Sequence, residues 1–151
     1  MEITSEQVKE LRDKTGVSVM ECKKALVQAE GDMQKALAVL GERSAAMAAK
    51  KVGRELAAGT VGAYVHSTAQ VGALVLLLCE TDFVSKNEEF VALARDIAMH
   101  ASAMKPEGVE AALAQPFIKD GERTIKQLLE AASQKFGERV ELSKLDIFSV
   151  K

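Results

Sequence analysis

The chain has 151 residues, 48% of them hydrophobic and 28% charged, and its 20 basic and 22 acidic side chains give a formal net charge of −2. That size suits one domain, or a small module joined to a modest one, and so even a balance argues against an electrostatic nucleic-acid binder. No apolar run nears the ~20 residues that span a bilayer, Met1–Thr4 is neither basic nor greasy, and Cys22 and Cys79 lack metal-ligand spacing. A cytoplasmic protein without metal or cofactor is therefore expected.

The first segment reads as three short helices. Thr4 with Gln7 forms a capping box, flanked by Ile3 and Val8 as a hydrophobic staple. Leu11 continues the stripe and Gly16 stops the helix. Ser18 with Glu21 makes a second box, ahead of a helix that turns Val19, Cys22, Leu26 and Ala29 inward and ends at Gly31. Asp32 caps the third, with Met33, Ala36, Leu37 and Leu40 at helical spacing. From Ser44 to Ala58 the composition shifts to Ala, Lys and Arg, which favours helix but gives it little to pack. The expected organisation is a three-helix module at 1–43, an exposed helical connector at 44–58 and a second domain at 59–151.

That domain opens with strands. Val61, Ala63 and Val65 alternate with Gly62, Tyr64 and His66 as in a half-buried strand. Ser67 to Gln70 makes a hairpin turn, and Val71 to Cys79 is apolar almost throughout, so burial on both faces is expected. After the connecting loop Glu80-Thr81-Asp82-Phe83-Val84, Ser85 with Glu88 forms a third box. The helix it opens places Phe90, Val91, Ala94, Ile97, Ala98 and Ala101 on one face and closes before Pro106. A short helix at 109–114, a breaker at Gln115-Pro116-Phe117, a last helix capped by Asp120 and stopped by Gly137, and a strand at 140–150 complete the chain. The sum is an α+β fold: a helical bundle, then a small antiparallel sheet with helices on one side.

Catalytic machinery is hard to find. There is no phosphate-cradling Gly-rich loop, and neither histidine has a second ligand at metal spacing. The most enzyme-like set is His66, Cys79 and Asp82, all near strand ends of one hairpin, but an apolar strand raises a thiol pKa instead of activating it. A binding protein is the expected class.

Two ordered motifs carry a resemblance. Val8-Lys9-Glu10-Leu11-Arg12 through Thr15-Gly16, then Met20-Glu21-Cys22-Lys23-Lys24-Ala25-Leu26, resembles the start of the elongation factor Ts family. Cys79-Glu80-Thr81-Asp82-Phe83-Val84, with Asn87 to Phe90 and Ile97-Ala98-Met99-His100, is the strongest stretch, and Pro116-Phe117 with Lys119-Asp120 looks like a later segment. The resemblance implies a guanine-nucleotide exchange factor that binds the GTPase elongation factor Tu and speeds GDP release. It implies a ubiquitin-associated-type (UBA-like) bundle docking through Arg12, Met20 and Lys23. It also implies that Thr81, Asp82, Phe83 and Val84 push in near the GTPase's magnesium and phosphate site. Short family members can pair as homodimers through their sheets, so the resemblance also allows a homodimer. Direct contact with nucleic acid or membrane is not implied.

The chain departs from the family in places. Leu76 and Leu78 replace polar residues, Leu142-Ser143-Lys144-Leu145 replaces a more basic pattern, and only Ala101 to Gln115 spans a normally longer helical stretch. Taken by itself, Phe83 also fits a core side chain folded onto the next helix, and Arg12 and Lys23 fit solvated faces. An adaptor whose bundle binds a peptide or ubiquitin-like partner, without exchange activity, is the alternative reading.

Overall fold

A computed structural model describes residues 2–151. Helices α1 (Ser5–Thr15), α2 (Val19–Gln28) and α3 (Met33–Ala49) form the bundle. The Thr4–Gln7 capping box is complete, and the Gln7 amide also donates to Gly31 O at 3.2 Å, tying the start of α1 to the α2–α3 turn. Gly16 closes α1 at φ 72°, in the left-handed region where a side chain is costly. Leu11, Val17, Cys22, Ala25, Leu26, Ala29, Ala36 and Leu40 make one buried cluster. Val19 is the exception to the expected inward set: it lies half exposed on the first turn of α2.

The segment 44–58, expected as an exposed helical connector, is helical to Ala49 and largely exposed, but Ser44 and Lys51 are buried. Its first part is the C-terminal half of α3, which packs along α7 (Ile125–Phe136). Ser44 hydrogen-bonds Gln134, and buried Lys51 donates to Ser133 O at 3.4 Å. Small Ala side chains let two helices approach closely, so a composition that looked too poor to pack is what makes the contact.

The sheet has the order β1 (Ala58–Val65), β2 (Val71–Cys79), β5 (Glu141–Ser149), all antiparallel. Helix α5 (Glu88–Met104) lies across one face, burying Phe90, Ala94, Ile97, Ala98 and Ala101 against Ala73, Val75, Leu77 and Cys79. Val91, expected inward, is exposed. In β1 the valines are not the inward set: Gly62 and Tyr64 face the helix while Val61 and Val65 are 64% and 70% exposed. Nor is β2 buried on both faces, since Leu74 on its outer side is exposed.

Two expected caps also move. Asn87, not Ser85, caps α5 by accepting from Glu89 N at 2.8 Å, because Ser85 is buried in the preceding short helix α4 (Asp82–Ser85). Thr124, not Asp120, caps α7 with a complete Thr124–Gln127 box. Asp120 instead lies in a hairpin of β3 (Pro116–Phe117) and β4 (Asp120–Thr124) that follows α6 (Val109–Ala114), where its carboxylate binds Arg123 at 3.0 Å. Among the described residues no helix is long and apolar enough to cross a membrane.

Candidate functional site

The segment read as a loop after β2 is a single capped helical turn. Thr81 is extended (φ −129°, ψ 155°), and its hydroxyl accepts from Val84 N at 3.4 Å, opening α4. Val84 and Ser85 are buried beneath the turn, and Thr60 Oγ1 donates to Ser85 O at 2.6 Å. Cys79 Sγ donates to Thr81 O at 3.3 Å. The base is held from the other side by Glu138, whose Oε1 accepts from both Glu80 N and Thr81 N at 3.0 Å and whose Oε2 accepts from Thr81 Oγ1 at 2.6 Å. Glu80 in turn accepts from Arg139 N and from Arg54 Nη1 at 3.3 Å.

On this fixed base Phe83 stands 88% exposed, with Asp82 exposed beside it. The alternative in which Phe83 folds into the core is excluded by that exposure. Of the four residues expected at the site, Val84 is an anchor, Thr81 a cap, and Asp82 and Phe83 are the pair presented to solvent.

The second expected surface lies on the bundle. Arg12 of α1 and Lys23 of α2 line one shallow groove together with Ile3, Val8, Lys9 and Val19. Met20 is 66% exposed and lies three residues before Lys23, hence on the same side of α2. Val19 joins this surface although its apolar character pointed to the core. Its exposure follows from its position at the first turn of a capped helix, ahead of the buried stripe of Cys22, Ala25 and Leu26. Arg43, by contrast, is occupied with Glu21 at 3.0 Å and Gln28 at 3.0 Å.

The enzyme-like triplet does not assemble. Ala58 pairs with Cys79 and Val65 with Gly72, so His66 and Cys79 lie at opposite ends of the hairpin, ~26 Å apart for eight strand residues. His66 contacts Tyr64 OH at 3.2 Å, and buried Cys79 has its thiol pKa pushed up, first by burial and then by the Glu138 carboxylate. Buried His100 serves the fold. Its Nδ1 accepts from Ile118 N at 3.1 Å, which leaves Nε2 protonated to donate to Gln115 Oε1 at 2.9 Å, and burial lowers its pKa.

Residues Glu138, Arg139 and Arg54 were not legible as site residues. Glu138 reaches Thr81 across 57 residues of sequence, and no local pattern announces such a contact.

Comparison with known proteins bears on the same segments. A family model described as Elongation factor TS matches residues 80–151. Elongation factor Ts of Acetivibrio thermocellus is 38% identical over 185 aligned residues, covering 93% of this chain and 86% of the relative. The same-named protein of Leptospira biflexa is 37% identical over 195 aligned residues, covering 99% and 98%. That of Chloroherpeton thalassium is 44% identical over 149 residues, 98% of this chain but 52% of the relative. The 195-residue alignment is longer than this 151-residue chain, so that relative carries inserted segments missing here.

Proposed function

The chain belongs to the elongation factor Ts family, and from that premise we propose that it promotes GDP release from elongation factor Tu by presenting Asp82 and Phe83 to the GTPase near its magnesium and phosphate site. Membership carries the general role, nucleotide exchange on elongation factor Tu during translation elongation, without chemistry of its own. The observation that carries the finer reading is Phe83: an aromatic ring 88% exposed on a turn whose base is hydrogen-bonded and buried. Burying such a ring in a partner is worth about 1.5–3 kcal/mol, and a pre-ordered anchor loses little entropy on binding. Asp82 adds an acceptor that competes for donors or metal in the partner's phosphate site.

Docking is assigned to the bundle at 1–43, a UBA-like module, through Arg12, Met20 and Lys23, with 44–58 leading to an α+β core at 59–151. Coupling is reciprocal: a factor that weakens GDP is itself weakened by GDP to the same degree. The outer sheet face, with Val61, Val65, Leu74 and Phe148 exposed, is assigned to a second copy of this chain. Leu74 pairs with Asp146 and Leu76 with Lys144, so a two-fold pairing can set Lys144 against the partner copy's Asp146.

The test separates the two GTPase contacts. Release of fluorescent GDP from the cognate GTPase is followed by stopped flow against factor concentration. Asp82→Ala and Phe83→Ala are expected to lower the maximal rate, by at least about tenfold for Phe83. Arg12→Ala, Met20→Ala and Lys23→Ala together are expected to raise the half-saturating concentration and keep the maximum. A Phe83→Ala protein with full maximal rate defeats the assignment to this turn, and a saturated wild type that does not accelerate release leaves the adaptor.

A further inference from the structure

From the geometry at the base of the turn we infer that Glu138 is the positioning residue for Asp82 and Phe83, an inference that rests on the reading of that turn as the element acting on the GTPase. A four-residue helix cannot hold itself, because the first hydrogen-bonded turn fixes several dihedrals for one bond. Its direction is set by whatever grips its two ends. The C-terminal end is gripped by burial of Val84 and Ser85 and by the Thr60 hydroxyl on Ser85 O. The N-terminal end is gripped by one carboxylate, which takes the N–H groups of Glu80 and Thr81 and the Thr81 hydroxyl together.

The Thr81 bond sets more than a distance. An ionised carboxylate only accepts, so the hydroxyl proton points to Glu138 and the oxygen's lone pairs are left for Val84 N–H, the bond that caps the turn. Glu138 thus fixes the hydroxyl rotor on which α4 depends. Hydrogen bonds to an ionised partner are roughly twice as strong as neutral ones, and Glu138 is well placed to make them. It follows the left-handed stop of α7 at Gly137 (φ 71°), and its own carbonyl accepts from Ser133 Oγ at 2.8 Å. The next residue, Arg139, donates its N–H to Glu80 and its guanidinium to Arg54 O at 2.7 Å. The α7–β5 corner is therefore stapled to the β2–α4 corner, and through Arg54 to the segment that leads from the bundle.

A positioning role and a merely structural one differ in what they move. Glu138→Ala removes all three acceptors. Thr81→Val removes only the hydroxyl and leaves the carboxylate in place. Glu138→Gln keeps an oxygen for the two N–H groups but offers Thr81 a donor. In the stopped-flow assay, with Phe83→Ala alongside, Glu138→Ala and Thr81→Val are expected to lower the maximal release rate about tenfold, with the half-saturating concentration within about twofold of wild type. Glu138→Gln is expected to recover part of that loss, and amide hydrogen exchange at Thr81 and Val84 is expected to rise in Glu138→Ala. If Glu138→Ala does not fold, Thr81→Val carries the same test. A wild-type maximal rate in Thr81→Val and in any folded Glu138 variant, while Phe83→Ala collapses, overturns the positioning role alone. So does a loss that appears only as weaker binding. A Phe83→Ala protein at full rate overturns the reading of the turn, and this inference with it.

Discussion

At the scale of single residues, two glycines separate close approach from open space. A Cβ built on Gly62 would lie 2.4 Å from both the carbonyl carbon and oxygen of Ala94, backbone atoms that cannot step aside. Gly62→Ala is therefore expected to cost roughly 1–3 kcal/mol by forcing α5 off the sheet. Gly41, inside α3 with nothing within 4 Å, should behave oppositely, and Gly41→Ala is expected to stabilise by about 0.5–1 kcal/mol. Denaturant midpoints of the two variants check both signs. His100 makes a pH prediction. Its folded pKa is lowered from 6.5 by burial, so the unfolded chain binds the proton more readily. The stability due to neutral His100 is complete above that value and is lost as pH falls below it. Denaturation of wild type and His100→Gln between about pH 8 and pH 5 should show wild type losing more stability on acidification; parallel curves would contradict this.

At the scale of elements, period was legible and phase was not. The alternation of Val61, Ala63 and Val65 correctly marks a strand, but it does not say which set faces inward. The deciding fact is tertiary: α5 presses so close that only Gly62 fits beneath Ala94, and the valines go outward. The complete box at Thr4–Gln7 marks its cap in the sequence, whereas the equally complete Thr124–Gln127 box lies just beyond Asp120, itself a favoured capping residue type. The Ser85–Glu88 pattern misled because Ser85 is committed to Asp82 O, at 3.2 Å, in the turn before. The outward valines bear on self-association. Val61→Lys or Phe148→Lys, at positions 64% and 73% exposed, is expected to leave the fold intact and abolish self-association, read by sedimentation velocity or light scattering across concentration. A monomeric wild type would remove the homodimer from the proposal.

At the scale of the whole molecule, two presented surfaces ride on one connected scaffold. Helix α3 runs out of the bundle along α7, and the β3–β4 hairpin returns to the bundle, with Glu122 meeting Gln34 at 3.5 Å and Lys14 at 3.9 Å. The corner that ends α7 grips the Asp82–Phe83 turn. Both ordered motifs of the candidate site were legible, because each is short and local; the clamp that unites them was not, because it is built from residues distant in sequence. The most direct measurement of the central claim is the rate of GDP release from the cognate elongation factor Tu, taken at factor concentrations where binding is shown to be saturated. An exchange factor raises that rate to a plateau well above the intrinsic one, and the plateau falls when Phe83 is replaced by Ala. A saturated complex that releases GDP no faster than the free GTPase would contradict the exchange role and leave a binding protein in its place.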